Sequence, residues 1–145
     1  MKWSGLFLAT LCAAALAANE PTAVGRWKQL DDDDGKPRSV IRIEEHNGIY
    51  EGSIERIFPD EGEDPDPVCK QCPDTRKNQK IIGMKIVSGL KRNGLKYEDG
   101  EILDPDDGKL YRARMTLAAD GKSLEVRGFI GLSLFGRNQT WLREE

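Results

Sequence analysis

Apolar and polar residues alternate along most of this chain, and Asn-Gly and Asp-Gly pairs interrupt the alternation at short intervals. A period of two marks a strand with one buried face, and Asn-Gly between two such runs signals a hairpin. The first run covers 25–30 and ends at Asp31-Asp32-Asp33-Asp34-Gly35, a turn whose acidic residues tolerate left-handed backbone. A second run, 39–45, leads through His46-Asn47-Gly48 into a third, 49–58, where Tyr50, Gly52 and Ile54 share one face. Residues 59–67 are acidic and proline-rich and predict an exposed loop, which Cys69-Lys70-Gln71-Cys72-Pro73 extends. Alternation resumes over 80–90, with Ile82, Met84, Ile86, Ser88 and Leu90 facing one way. A turn at Lys91-Arg92-Asn93-Gly94 precedes a short strand at 95–103, and Asp104-Pro105-Asp106-Asp107-Gly108 turns the chain again. Tyr111, Ala113, Met115 and Leu117 then alternate with Arg112, Arg114 and Thr116. Beyond Ala119-Asp120-Gly121, the residues Leu124, Val126, Gly128 and Ile130 repeat the pattern. Residues 131–136 suit a tight turn or one helical turn, and 137–143 form the last run.

These runs add up to about eight short strands with no amphipathic helix among them, which predicts an antiparallel all-β fold. Glycines inside the runs (Gly52, Gly83, Gly89, Gly128) weaken a flat sheet but ease the coiling of a small barrel. The expected architecture is an up-and-down closed barrel with an acidic loop. Closure demands that the first and last strands pair, since otherwise two raw edges stay exposed. Trp27 suits a plug at one end, and an arginine of the last strand, Arg143 before Arg137, suits a place over its ring. In this register Tyr50, Ile54, Met84, Ile86, Tyr111, Met115, Val126 and Trp141 point inward. An eight-stranded barrel is just wide enough to be filled by its own side chains or to hold one small ligand.

The N-terminus reads as an export signal. Lys2 precedes an apolar stretch from Leu6 to Leu16, and Ala15-Leu16-Ala17 is a small-x-small cleavage site. The stretch is too short to span a bilayer. Residues 1–17 are therefore expected to be removed, leaving 18–145 as one barrel domain in the periplasm or outside the cell. Cys12 would leave with the signal, because bulky Leu11 stands where lipoprotein processing needs a small residue. The formal charge of −3 gives no electrostatic footprint for nucleic acid. No later stretch is long and apolar enough to cross a membrane.

Cys69 and Cys72 admit three readings. A zinc site lacks partners, with His46 the chain's single histidine, on a distant turn. A redox pair lacks the strand-to-helix setting that lowers a thiol pKa. A local disulfide that ties the loop asks least, and it would persist in an exported protein. Asp31–Asp34 and Asp104–Asp107 lack the glycine offset of a calcium loop and read as solvated turns. Neither a metal nor a cofactor is expected.

Several motifs recur together in order. They are Gly25-x-Trp27, Cys69-x-x-Cys72, Ile82-Gly83, and Ile102-Leu103-Asp104-Pro105 with Gly108-Lys109 and Tyr111. Arg127-Gly128-Phe129-Ile130-Gly131 follows, and then Gly136-Arg137 with Gln139, Trp141 and Arg143. As a set they resemble domain of unknown function 2147, small secreted bacterial proteins with a lipocalin-like barrel. The resemblance covers about residues 24–143 and implies the fold, export and a hydrophobic cavity. It brings no catalytic residues. The functional expectation is an exported barrel that binds a small hydrophobic or amphipathic ligand. The alternative is an envelope structural or interaction module with a packed interior, using charged outer strands and exposed Phe129 or Phe135. An enzyme would need Tyr111, Asp104 and Arg127 to converge in one cleft.

Overall fold

The computed structural model describes residues 20–131 and 136–144. The segment read as an export signal, residues 1–17, lies outside the described residues, as do Phe135 and most of the 131–136 turn. Eight strands follow one another: β1 (Gly25–Leu30), β2 (Pro37–His46), β3 (Ile49–Ile57), β4 (Lys85–Asn93), β5 (Lys96–Asp104), β6 (Lys109–Leu117), β7 (Ser123–Phe129) and β8 (Gly136–Glu144). Each pairs antiparallel with its neighbour in sequence, and β1 also pairs with β8, so the sheet is a closed barrel. Among the described residues no helix is long and apolar enough to cross a membrane.

Closure is specific in register. Trp27 stands opposite Arg143, and Gln29 stands opposite Trp141. The connections then fall alternately at two ends. The β2–β3, β4–β5 and β6–β7 turns gather at one end, with the start of β1 and the finish of β8. The β1–β2, β3–β4, β5–β6 and β7–β8 connections gather at the other.

The first of these ends is packed solid. Ile41, Ile43, Val87, Leu90, Tyr97, Met115, Leu117 and Leu124 are all buried there. Tyr50 meets Tyr97 edge to face, with ring centroids 4.8 Å apart at 77°. Such a contact favours the positive ring edge against a negative ring face. Residues 20–24 cross beneath as a strap. The Ala23 amide donates to the Tyr97 hydroxyl at 3.0 Å, and the Trp27 indole Nε1 donates to the Ala23 carbonyl at 2.8 Å. Arg92 Nη2 donates to the Pro21 carbonyl at 2.7 Å. Arg143 lays its Cζ 4.3 Å from the Trp27 ring centroid. Its nitrogens donate to the carbonyls of Gly121 (2.7 Å), Val24 (3.0 Å) and Thr22 (2.6 Å). One guanidinium thus joins strap, last strand and β6–β7 turn, with its charge on the indole face.

Strand β4 departs from the expected 80–90. It begins at Lys85, because the chain turns just before it, the Met84 amide donating to the Ile81 carbonyl at 3.1 Å. Lys80 pairs instead with Val68 in an isolated bridge, and Ile82 is exposed rather than inward. Further along, Ile86, Val87 and Leu90 are the buried residues, so the simple alternation fails. Two register shifts against β3 explain the slip, one between Leu90 and Val87, where Gly89 takes a left-handed φ of 73°, and a second between Val87 and Lys85 that brings Ile86 and Val87 both inside.

The β3–β4 connection carries a disulfide between Cys69 and Cys72, both buried. A short hairpin surrounds it, with the Cys69 amide donating to the Gln79 carbonyl and the Asn78 amide donating to the Cys69 carbonyl. This loop leans on the β5–β6 turn. Cys69 Sγ lies 3.7 Å from the Pro105 carbonyl oxygen. A Cβ added at Gly108 would fall 1.8 Å from the Gln71 carbonyl oxygen, closer than atoms can approach. Gly108 also holds φ of 72°, so two constraints ask for glycine there.

Candidate ligand cavity

Above the packed end the barrel is open. A cavity of about 1300 Å³ occupies the upper half of the barrel and its mouth. Ordinary small-molecule sites run to roughly 300–1,000 Å³, so the space is ample for one guest. Its walls are of two kinds. Ile54 on β3, Ile86 on β4, Ile102 on β5 and Val126 on β7 present branched aliphatic surface, and Ile57 and Ile81 add to it nearer the loop. The β1, β2 and β8 side is polar.

That polar side is a hydrogen-bonded strip. Ser39 Oγ donates to Gln29 Oε1 at 2.6 Å, and Gln29 Nε2 donates to Gln139 Oε1 at 2.9 Å. Gln139 Oε1 also accepts from Trp141 Nε1 at 3.3 Å, and Gln139 Nε2 reaches Asp32 Oδ2 at 3.4 Å. A half-buried amide gains by such pairing, because polar groups left without partners there lose their hydration uncompensated. The strip therefore runs from the Trp141 indole to the mouth while leaving spare acceptor and donor capacity on Ser39 and Gln29.

The mouth is acidic. The β1–β2 turn contributes Asp31, which accepts from the amides of Asp33 and Asp34 (2.8 and 3.2 Å), and these bonds hold its carboxyl below the usual range. Across the opening the β5–β6 turn presents Asp104, Asp106 and Asp107. Asp106 keeps an exposed surface, yet protein gathered around it, and after that the charge of Asp104, push its carboxyl above the usual range. Tyr111 donates its hydroxyl to Asp107 Oδ2 at 2.9 Å. Burial first and this hydrogen bond second push the phenol up, so it stays protonated and donating.

Of the eight side chains assigned inward from the sequence, Ile54, Ile86, Tyr111, Val126 and Trp141 border the cavity. Tyr50 and Met115 are buried lower, in the packed half, and Met84 is buried without reaching the cavity. Trp27 and Arg143 stack at the sealed end. Alternation alone places a side chain inside or outside and says nothing of whether its neighbours fill the space. Gln29, Ser39 and Gln139 also line the cavity; a polar residue carries no hydrophobic signal for an inward position, although Gln29 and Gln139 are in phase with Trp27 and Trp141. Ile81 comes from a loop and carries no periodic signal. Tyr111 and Asp104 both border the cavity, but Arg127 does not; it donates to Asn138 Oδ1 at 2.7 Å. The three therefore do not meet in one cleft.

A comparison with curated proteins gave no match. Among solved structures the barrel is similar to protein HP1028 of the human pathogen Helicobacter pylori, described as belonging to the lipocalin family. The TM-score is 0.74 at 22% identity, over 86% of this chain and 84% of that one. At that identity the likeness speaks for the fold, a lipocalin-like barrel. Residues 25–143 match the family model described as an uncharacterized protein conserved in bacteria, domain of unknown function 2147. The match begins at the glycine that opens β1 and ends at the arginine stacked on Trp27, one residue short of the end of β8, so it reaches all eight strands: this chain belongs to the domain of unknown function 2147 family.

Proposed function

We propose that the protein is an exported carrier that holds one small hydrophobic or amphipathic molecule in the upper half of the barrel. The cavity of about 1300 Å³, with aliphatic walls facing a polar strip, carries this reading. Transfer of an alkyl or ring body onto Ile54, Ile86, Ile102 and Val126 would supply affinity, at roughly 25 cal/mol per Å² of apolar surface removed from water. Gln29, Ser39 and Gln139 would fix orientation, since a few placed polar groups set the pose in an apolar pocket. The same cavity weighs against a purely packed structural module.

The address belongs to the same proposal. The apolar segment with its Ala15-Leu16-Ala17 site supports cleavage after Ala17, and the Cys69–Cys72 disulfide suits a compartment outside the reducing cytosol. The intact mass of protein recovered from the cell envelope should correspond to a chain beginning at Ala18. Native mass spectrometry of the gently purified protein, followed by denaturing extraction, should reveal a bound small molecule. A barrel that arrives empty and takes up no lipid, dye or metabolite from a panel would remove the carrier reading.

A further inference from the structure

We infer that the cavity selects a cationic amphiphile, its apolar body inside and an amine or quaternary ammonium head at the lip bearing Asp104, Asp106 and Asp107. This rests on the carrier reading and adds the sign of the guest's charge. Three observations lead to it.

The first is the balance of charge. Among the described residues, those bordering the cavity include eight carboxylates against two arginines and no lysine. They come from the β1–β2, β3–β4 and β5–β6 connections, which the topology delivers to one end, and the lysines in or beside those connections, Lys36, Lys70 and Lys109 among them, do not border the cavity. Carboxylates gathered around an opening with low-dielectric walls focus a negative potential on whatever enters.

The second is that both arginines are engaged. Arg38 reaches Asp60 at 3.0 Å and Asp31 at 3.7 Å, and Arg137 reaches Asp32 at 3.6 Å. A carboxylate or phosphate head would have to compete with Asp31, Asp32 and Asp60 for these two arginines while facing the remaining carboxylates, which is costly.

The third concerns the β5–β6 lip itself. Among the described residues no lysine or arginine stands at ion-pair distance from Asp104, Asp106 or Asp107. The turn is held in place from behind by the disulfide loop at Gly108 and Pro105. Among the described residues these carboxylates do not converge into a metal-binding group. A diffuse, preorganised negative lip beside an aliphatic chamber fits a bulky organic cation better than a compact metal ion. The mutual repulsion within the lip would be relieved by the guest's charge.

Decyltrimethylammonium, decanoate and neutral decanol share one tail and differ in head. Each can be titrated against the barrel loaded with the uncharged fluorophore N-phenylnaphthylamine. The expected order is cation, neutral, anion, with the cation displacing the fluorophore at about tenfold lower concentration than decanol, the order of one ion pair at a protein edge. Raising salt from about 20 to about 300 mM should erase most of that advantage and leave decanol unchanged. Replacing Asp104→Asn, Asp106→Asn and Asp107→Asn together should bring the cation to the level of decanol while fluorophore binding persists. If the fluorophore binds and the three heads compete equally, or the anion wins, the charge inference is overturned and the carrier reading stands. If neither fluorophore nor any of the three binds, the carrier reading falls and this inference with it. Should the triple variant fail to fold, the salt series on the unaltered protein decides, and a flat cation curve overturns the inference.

Discussion

At the sealed end, Trp27 is fully buried, its indole nitrogen is bonded, its face is covered by Arg143, and a strap of residues 20–24 closes the bottom. At the open end the same eight strands carry Ile54, Ile86, Ile102 and Val126, side chains that line a cavity and face the polar strip of Gln29, Ser39 and Gln139 across it. Both ends are built from inward positions of one alternating pattern. The difference lies in size and in the connections. Tyr50, Tyr97, Trp27 and a set of leucines meet one another across the lower lumen, whereas in the upper one Tyr111, Trp141, the aliphatics and the two glutamines stand around a cavity. One barrel is thus plug and vessel at different heights, with its buried aromatic contacts concentrated in the plug.

That division can be broken most severely at Trp27. Trp27→Ala should cost about 3–5 kcal/mol, the range for deleting a buried aromatic, read as a fall in the urea midpoint at unchanged slope. A cost under about 1 kcal/mol would mean that the sealed end is not the structural anchor. A paired test sharpens the contrast with one substitution at two heights. Ile41→Ala, deep in the plug, should cost about 3–4 kcal/mol, while Ile102→Ala on the cavity wall should cost about 1–2 kcal/mol because no new void is created there. Equal losses would argue that the upper half collapses and packs in solution.

A smaller effect is expected from Arg143→Met, which keeps the apolar reach but removes the charge and the three carbonyl bonds. About 2 kcal/mol should be lost, from the stacking and the strap's unmet acceptors, visible as early hydrogen exchange at Ala23. Smallest is the double change Cys69→Ser with Cys72→Ser. Opening so tight a ring should cost about 2 kcal/mol at most. The effect should stay at the open end, as faster proteolysis of the β3–β4 loop while the exchange of β1 and β8 amides is unchanged. Global unfolding instead would show that the lip and the plug are one cooperative unit.

Much of this was legible in the chain. Period-two runs separated by Asn-Gly and Asp-Gly gave the strands, and the need to hide edges gave the β1–β8 pairing with Trp27 against Arg143. The cavity was half legible. Ile54, Ile86, Tyr111, Val126 and Trp141 follow from phase, but a bulge such as that at Gly89 shifts phase without any signal beyond the glycine itself. The long connection was less legible still, because Ile81 and the disulfide loop take their places from tertiary contact with Pro105 and Gly108. Taken singly, the acidic turns look like ordinary solvated turns. Their shared position was available from topology, since in an up-and-down barrel every second turn lies at the same end.

The ladder from Arg26–Glu144 to Gln29–Trp141 brings the two extremities of the domain side by side, and Arg143 binds the carbonyls of Thr22 and Val24. Spatially the ring of strands has no first member. A short linker across that seam, with new ends cut in the solvent-facing stretch near Gly62, would give a circular permutant that keeps every rung of the ladder. Such a rearranged chain would present both of its free ends beside the vessel's opening, where a reporter dye could be attached to signal an arriving guest.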